Sequence, residues 1–130
     1  MSTADNKALV TKFWEAFSAS KFDDALAMLN DDATWWVAGT TALSGKYTKP
    51  EFAALLGNVT GSAPQGIQVT PKQLTAEDNR VSVEAESCGE ISNGKTYRNS
   101  YHFMMECRDG RISAVREYLD TEHVTEVFGD

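Results

Sequence analysis

One carboxylate in this chain stands where carboxylates are costly. In Val115-Arg116-Glu117-Tyr118-Leu119, strand alternation puts Val115, Glu117 and Leu119 on one face. A charged group between apolar neighbours on a core-facing stripe is expensive unless it is paired or put to use. Desolvation would raise its pKa and suit it to general acid or base work near neutrality. The alternative is an ion pair with a neighbouring Arg or Lys. Glu84 and Glu86 share a face in Val81-Ser82-Val83-Glu84-Ala85-Glu86-Ser87, opposite Val83 and Ala85. If Glu86 faced one hollow together with Glu117, repulsion would hold one of them protonated, and the pair could divide acid and base roles. Two solvated carboxylates on an outer sheet face is the blander reading. Tyr101 offers a hydroxyl donor, and Asn99, two residues back on the same face, could help position a carbonyl or hydroxyl. Trp35 and Trp36 are adjacent and so point to opposite faces of a regular strand, one toward a pocket and one toward a helix. Tyr47, in the loop that follows, could cover the mouth.

These groups need a scaffold, and the hydrophobic periodicity supplies one. Leu9, Val10, Phe13, Trp14 and Phe17 recur at helical spacing and predict a helix from about Ala4 to Ala19. Phe22 to Leu29 predicts a second, short helix broken by Asn30-Asp31-Asp32. Ala33 to Val37 reads as a strand, and Lys49 to Leu56 as a third helix with Pro50 in its first turn. From Gly66 onward the pattern changes to strands: Gly66 to Thr75, Arg80 to Ile91, Lys95 to Arg108 and Arg111 to Asp120. Asn93-Gly94 and Asp109-Gly110 tolerate the positive φ of tight hairpin turns, so the last three strands form an antiparallel meander. Asp120 reads as the N-cap of a short closing helix carrying Val124, Val127 and Phe128. Helices segregated from such a sheet imply an α+β architecture in one domain spanning residues 1–130. A twisted sheet wrapped over helices leaves a concave face that its own side chains need not fill.

The totals narrow the partners. A formal net charge of −7, with no Lys/Arg cluster, repels phosphate backbones and anionic membranes, so nucleic acid and membrane are not expected partners. No apolar run approaches the ~20 residues of a membrane span, and no secretory signal is evident, so a cytoplasmic location is expected. The two cysteines, Cys88 and Cys107, fall inside predicted strands and read as free, buried thiols. His102 alternates away from Tyr101 and Phe103 toward the opposite sheet surface, and His123 reads as a helix surface residue. No metal-binding motif, phosphate-cradling glycine loop or nucleophile elbow is present in the sequence, and no metal or cofactor is expected.

The helical start, Asp31-Asp32-Ala33-Thr34-Trp35, Leu43-Ser44-Gly45-Lys46-Tyr47, Asn99-Ser100-Tyr101-His102-Phe103 and Asp109-Gly110-Arg111-Ile112…Arg116-Glu117-Tyr118-Leu119-Asp120-Thr121 together resemble SnoaL-like and ketosteroid-isomerase-related proteins of the nuclear-transport-factor-2-like (NTF2-like) superfamily. The resemblance covers nearly the whole chain. It implies a cone-shaped α+β fold, a curved antiparallel sheet wrapped over three N-terminal helices to enclose a pocket, with the outer sheet face often forming a homodimer. The acidic residue of the last strand in polyketide cyclases and epoxide-hydrolase-like enzymes falls on Glu117. Tyr101 falls where steroid isomerases keep a protonated aspartate in their oxyanion hole. Three departures matter. Glu84 and Glu86 stand where epoxide-hydrolase-like strands carry an arginine and an aspartate, which argues against epoxide hydrolysis. Phe13 replaces the first-helix tyrosine of the steroid isomerases, and Trp35-Trp36-Val37 replaces their aspartate base, which argues against that isomerisation.

The expectation is therefore a cofactor-independent enzyme moving a proton on a small hydrophobic molecule, by isomerisation, cyclisation, dehydration or a related lyase step. Glu117, Tyr101 and Glu86 would carry the chemistry, with Trp35, Trp36, Asn99, Phe13, Glu84 and Tyr47 forming the binding surface. The alternative is a non-catalytic binding protein of the same fold.

Overall fold

The first helix shows how local signals start an element. Ser2 caps it, its hydroxyl accepting from the Asp5 N–H at 3.0 Å while the Asp5 carboxylate accepts from the Ser2 N–H at 3.2 Å. In the computed structural model, which describes residues 2–129, α1 runs Thr3–Ser18. Its buried stripe comprises Val10, Phe13, Trp14 and Phe17. The order continues α2 (Phe22–Ala27), β1 (Leu29–Val37), β2 (Gly45–Thr48), α3 (Lys49–Gly61), β3 (Gln68–Glu77), β4 (Arg80–Glu90), β5 (Thr96–Tyr97), β6 (Ser100–Arg108), β7 (Arg111–Leu119) and α4 (Thr121–Phe128). A second capping box, Thr48 with Glu51, opens α3. That helix extends five residues past its expected end, with Leu56 and Val59 still packing inward.

The sheet order is β2-β1-β7-β6-β4-β3, with β5 on β4. β3, β4, β6 and β7 form the expected antiparallel meander. At the β6–β7 turn both Asp109 (φ 53°) and Gly110 (φ 78°) take the left-handed backbone that favours this pair. β2 occupies a stretch the sequence reading gives as loop, and β1 begins at Leu29 rather than Ala33; two further features differ. First, β1 joins β7 in parallel, so the sheet is curved, open and mixed rather than wholly antiparallel. Second, the strand expected from Lys95 to Arg108 is interrupted at Arg98-Asn99, where the Arg98 N–H donates to His123 Nε2 and the Asn99 N–H to Ser87 Oγ instead of to backbone carbonyls of the ladder.

The inner face of the sheet carries Val81, Val83 and Ala85 of β4, Phe103 and Met105 of β6, and Val115 of β7, all in one buried cluster with the α1 stripe. Trp14 lies against Phe103 at 4.4 Å between ring centroids. Cys107 is buried as expected, but Cys88 is exposed, since it falls out of phase with the inward residues of β4; both thiols are free. His102 lies on the outer face, its Nε2 2.5 Å from the Ser82 hydroxyl. Asp120 caps α4 by accepting from the His123 N–H at 3.2 Å. His123 is half-buried rather than a plain surface residue, because its ring stacks on Tyr97. No helix among the described residues is long and apolar enough to cross a membrane.

Candidate active site

Between the inner sheet face, α1, α3 and α4 lies a cavity of about 90 Å³. Trp14 and Phe17 of α1, Phe52, Leu55, Leu56 and Val59 of α3, and Phe128 of α4 form the helical part of its apolar wall. Apart from two indole rings, the polar side chains in the lining are Glu117, Tyr97 and Tyr101. The lining has no Lys, Arg or His. Such a site suits a largely apolar molecule oriented by a few polar groups.

Glu117 arrives on β7 between Val115 and Leu119, as alternation requires. The parallel register sets Val37 opposite Glu117 and Trp35 opposite Val115. From there the Trp35 indole Nε1–H donates to Glu117 Oε1 at 2.9 Å. The indole is itself fixed by Phe52, stacked at 4.0 Å and 10°. No described cation lies within ion-pair distance of Glu117; the neighbouring Arg116 points to the outer face and pairs with Glu106. Glu117 is half-buried and lines the cavity. Burial pushes its pKa from 4.5 to about 7, and the indole N–H, by stabilising the charged form, holds it from rising further.

Tyr101 lies diagonally across from Glu117, since Tyr101 pairs with Leu119 and Phe103 with Glu117 in the β6–β7 register. Its ring stacks on Phe103 (4.8 Å, 13°). Its hydroxyl is 2.6 Å from that of Tyr97 and 3.4 Å from Ser87 Oγ. The Tyr97 hydroxyl accepts from Asn99 Nδ2 at 3.1 Å. Asn99 also donates to the Asp120 carbonyl (3.0 Å) and accepts from the N–H groups of Ser100 (2.8 Å) and Asp120 (2.9 Å). Burial pushes both phenols well above their ordinary pKa, so both are neutral donors at physiological pH.

The other expected site residues divide. Trp35 lines the cavity. Asn99 is buried behind it, fully engaged in holding Tyr97 and Asp120. Phe13 packs against Trp14 and Trp35 in the core and does not line the cavity. Tyr47 sits beside Trp35 on β2, its hydroxyl donating to the Leu43 carbonyl at 2.9 Å, near the site but outside its lining. Trp36 faces outward and packs on Tyr118 (5.3 Å). Glu84 and Glu86 are exposed on the outer face, and Glu86 pairs with Lys72 at 3.6 Å. The expectation of a Glu86–Glu117 pair is thus corrected: Val81, Val83 and Ala85 take the inward phase of β4, which forces the glutamates out. Tyr97 was missed. The stripe Tyr97-x-Asn99-x-Tyr101 was visible, but a regular strand would hold these tyrosines about 13 Å apart at their Cα atoms. Only the break at Arg98-Asn99 brings the hydroxyls together.

Residues 10–115 match the family model described as SnoaL-like domain. Among solved structures, an NTF2-like protein from Burkholderia pseudomallei is 19% identical with a TM-score of 0.85, and the alignment covers 100% of both chains. A candidate polyketide cyclase from Xanthomonas campestris is 24% identical with a TM-score of 0.82, over 94% of this chain and 95% of that one. TerC, co-crystallised with polyporic acid, is 18% identical with a TM-score of 0.83, over 97% of this chain and 99% of that one. At these identities the likenesses establish the fold. No curated protein matches the sequence significantly.

Proposed function

Because this chain belongs to the SnoaL-like domain family, we propose that its cavity is a cofactor-independent active site in which Glu117 moves a proton on a small, largely apolar molecule. The reaction class is isomerisation, cyclisation, dehydration or a related lyase step. One observation carries the reading: the lining's sole carboxylate has no counter-charge, and burial brings its pKa to about 7. A group poised there is a competent base above neutrality and a competent acid below it. Tyr101, on the neighbouring strand, supplies a neutral hydroxyl donor to the same cavity, where it can stabilise negative charge developing on a ligand oxygen. The structural relative TerC was co-crystallised with polyporic acid, which fits a fold that can hold a small organic molecule.

A non-catalytic binding role is favoured by one observation, that Glu117 Oε1 already accepts from the Trp35 indole and so acts partly as a structural acceptor. The two readings separate with 5-nitrobenzisoxazole as probe. Removal of its ring C–H proton by a carboxylate breaks the N–O bond and releases a coloured cyanophenolate, with no other reactant. Catalysis predicts a rate that rises through about pH 7 and falls ~10²-fold or more in Glu117→Gln. Wild-type turnover no faster than that of free acetate, or undiminished turnover in the variant, sinks the proton-transfer reading. We also propose a homodimer through the outer sheet face, where Tyr118 is 42% exposed beside Trp36. Light scattering would then give twice the chain mass for the wild type and the single mass for Tyr118→Lys; a monomeric wild type refutes it.

A further inference from the structure

We propose that Tyr97 and Tyr101 form a single donor unit that presents one phenolic proton to an acceptor oxygen of the bound molecule, making Tyr97 a positioning residue of the site. The proposal rests on the cavity being a small-molecule site, but not on Glu117 moving a proton.

A count of hydrogens carries it. Asn99 is oriented without ambiguity, because its Oδ1 faces two backbone N–H groups and its Nδ2 faces a backbone carbonyl. Nδ2 can only donate, so it fills one acceptor position on the Tyr97 hydroxyl. The Asn99 backbone N–H likewise donates to Ser87 Oγ at 3.1 Å, and the Ser87 hydrogen is directed to Tyr101. The 2.6 Å contact between the two phenols consumes one of their two hydrogens, whichever way it runs. The other hydrogen has no acceptor among the described residues, and both rings line the cavity. One O–H is therefore left for the ligand, strengthened by the donors stacked behind it.

The arrangement also selects the ligand. The lining carries one carboxylate and no cation, so an anionic oxygen would meet Glu117 with nothing to compensate it. A neutral acceptor such as a ketone or aldehyde oxygen fits. α4 sets the geometry: His123 stacks on the Tyr97 ring (5.4 Å, 7°), Phe128 packs against it (5.0 Å), and Asn99 grips both backbone groups of Asp120, the α4 cap.

Acetophenone labelled with ¹³C at its carbonyl is the probe. Bound to the wild type, its carbonyl resonance should lie downfield of the value in cyclohexane. Tyr97→Phe and Tyr101→Phe should each weaken binding about fivefold and move the carbonyl partway upfield, and the double variant should return it to the cyclohexane value. Wild type with tyrosines labelled at Cζ tests the same point without substitution: acetophenone should move Tyr97 and Tyr101 together, and not Tyr47 or Tyr118. Glu117→Gln should keep the carbonyl shift even as it loses turnover of 5-nitrobenzisoxazole, so a failure of the base assignment leaves this result standing. A wild type that does not bind acetophenone, a Tyr97→Phe variant with wild-type affinity and carbonyl shift, or a Cζ response from Tyr101 alone overturns the proposal.

Discussion

Glu117→Gln should make this protein more stable, and the gain should grow with pH. Burial raises the Glu117 pKa from 4.5 to about 7. A group whose folded pKa is raised contributes fully below its unfolded pKa, and that contribution is lost as pH rises through the folded value. At pH 5 folded Glu117 is protonated at a cost of roughly 1 kcal/mol relative to the unfolded chain, whereas at pH 8 the cost approaches roughly 3 kcal/mol. Glutamine keeps the size of the side chain and an oxygen to accept the Trp35 N–H, but it carries no charge. The stability gap between variant and wild type should therefore widen by roughly 2 kcal/mol from pH 5 to pH 8, on the order of 5–10 °C in Tm. Urea unfolding of both proteins at the two pH values measures it, and every other titrating group cancels in the comparison. A gap that stays flat or narrows would mean that position 117 ionises as it does in water, and the desolvation argument would fail.

Two other substitutions separate the groups. Trp35→Phe preserves an aromatic ring against Phe52 but removes the indole donor, so the Glu117 pKa should rise by a further ~1–2 units; ¹³C titration of the carboxyl carbon checks this, and a fall contradicts it. Glu86→Gln touches only an exposed pair with Lys72, so urea unfolding should move by less than about 0.5 kcal/mol and probe turnover should not change; a tenfold loss of turnover would return Glu86 to the site.

Local signals made much of this fold readable. The α1 stripe, the Asp109-Gly110 turn, the Asp120 cap and the two-residue alternation around Glu117 all act within a few residues, where periodicity and turn chemistry are decisive. The same alternation in β4 set Glu84 and Glu86 opposite Val83 and Ala85, yet only the packing of the valines against the core shows that the glutamates' side is solvent. β2 and the full length of α3 escaped the reading because their apolar positions are sparse until tertiary neighbours cover them.

What the sequence determined by itself is that an acidic residue would ride an inward strand phase near the end of an α+β chain. That followed from the geometry of an extended backbone, which needs no partner to decide it. Tertiary structure alone decided what surrounds that residue. The Trp35 indole reaches it across 82 residues of chain through a parallel pairing, and the Tyr97 and Tyr101 hydroxyls meet only because the strand breaks at Asn99 to hold the closing helix. Contacts between segments distant in the chain depend on how whole layers pack, and no local periodicity encodes that.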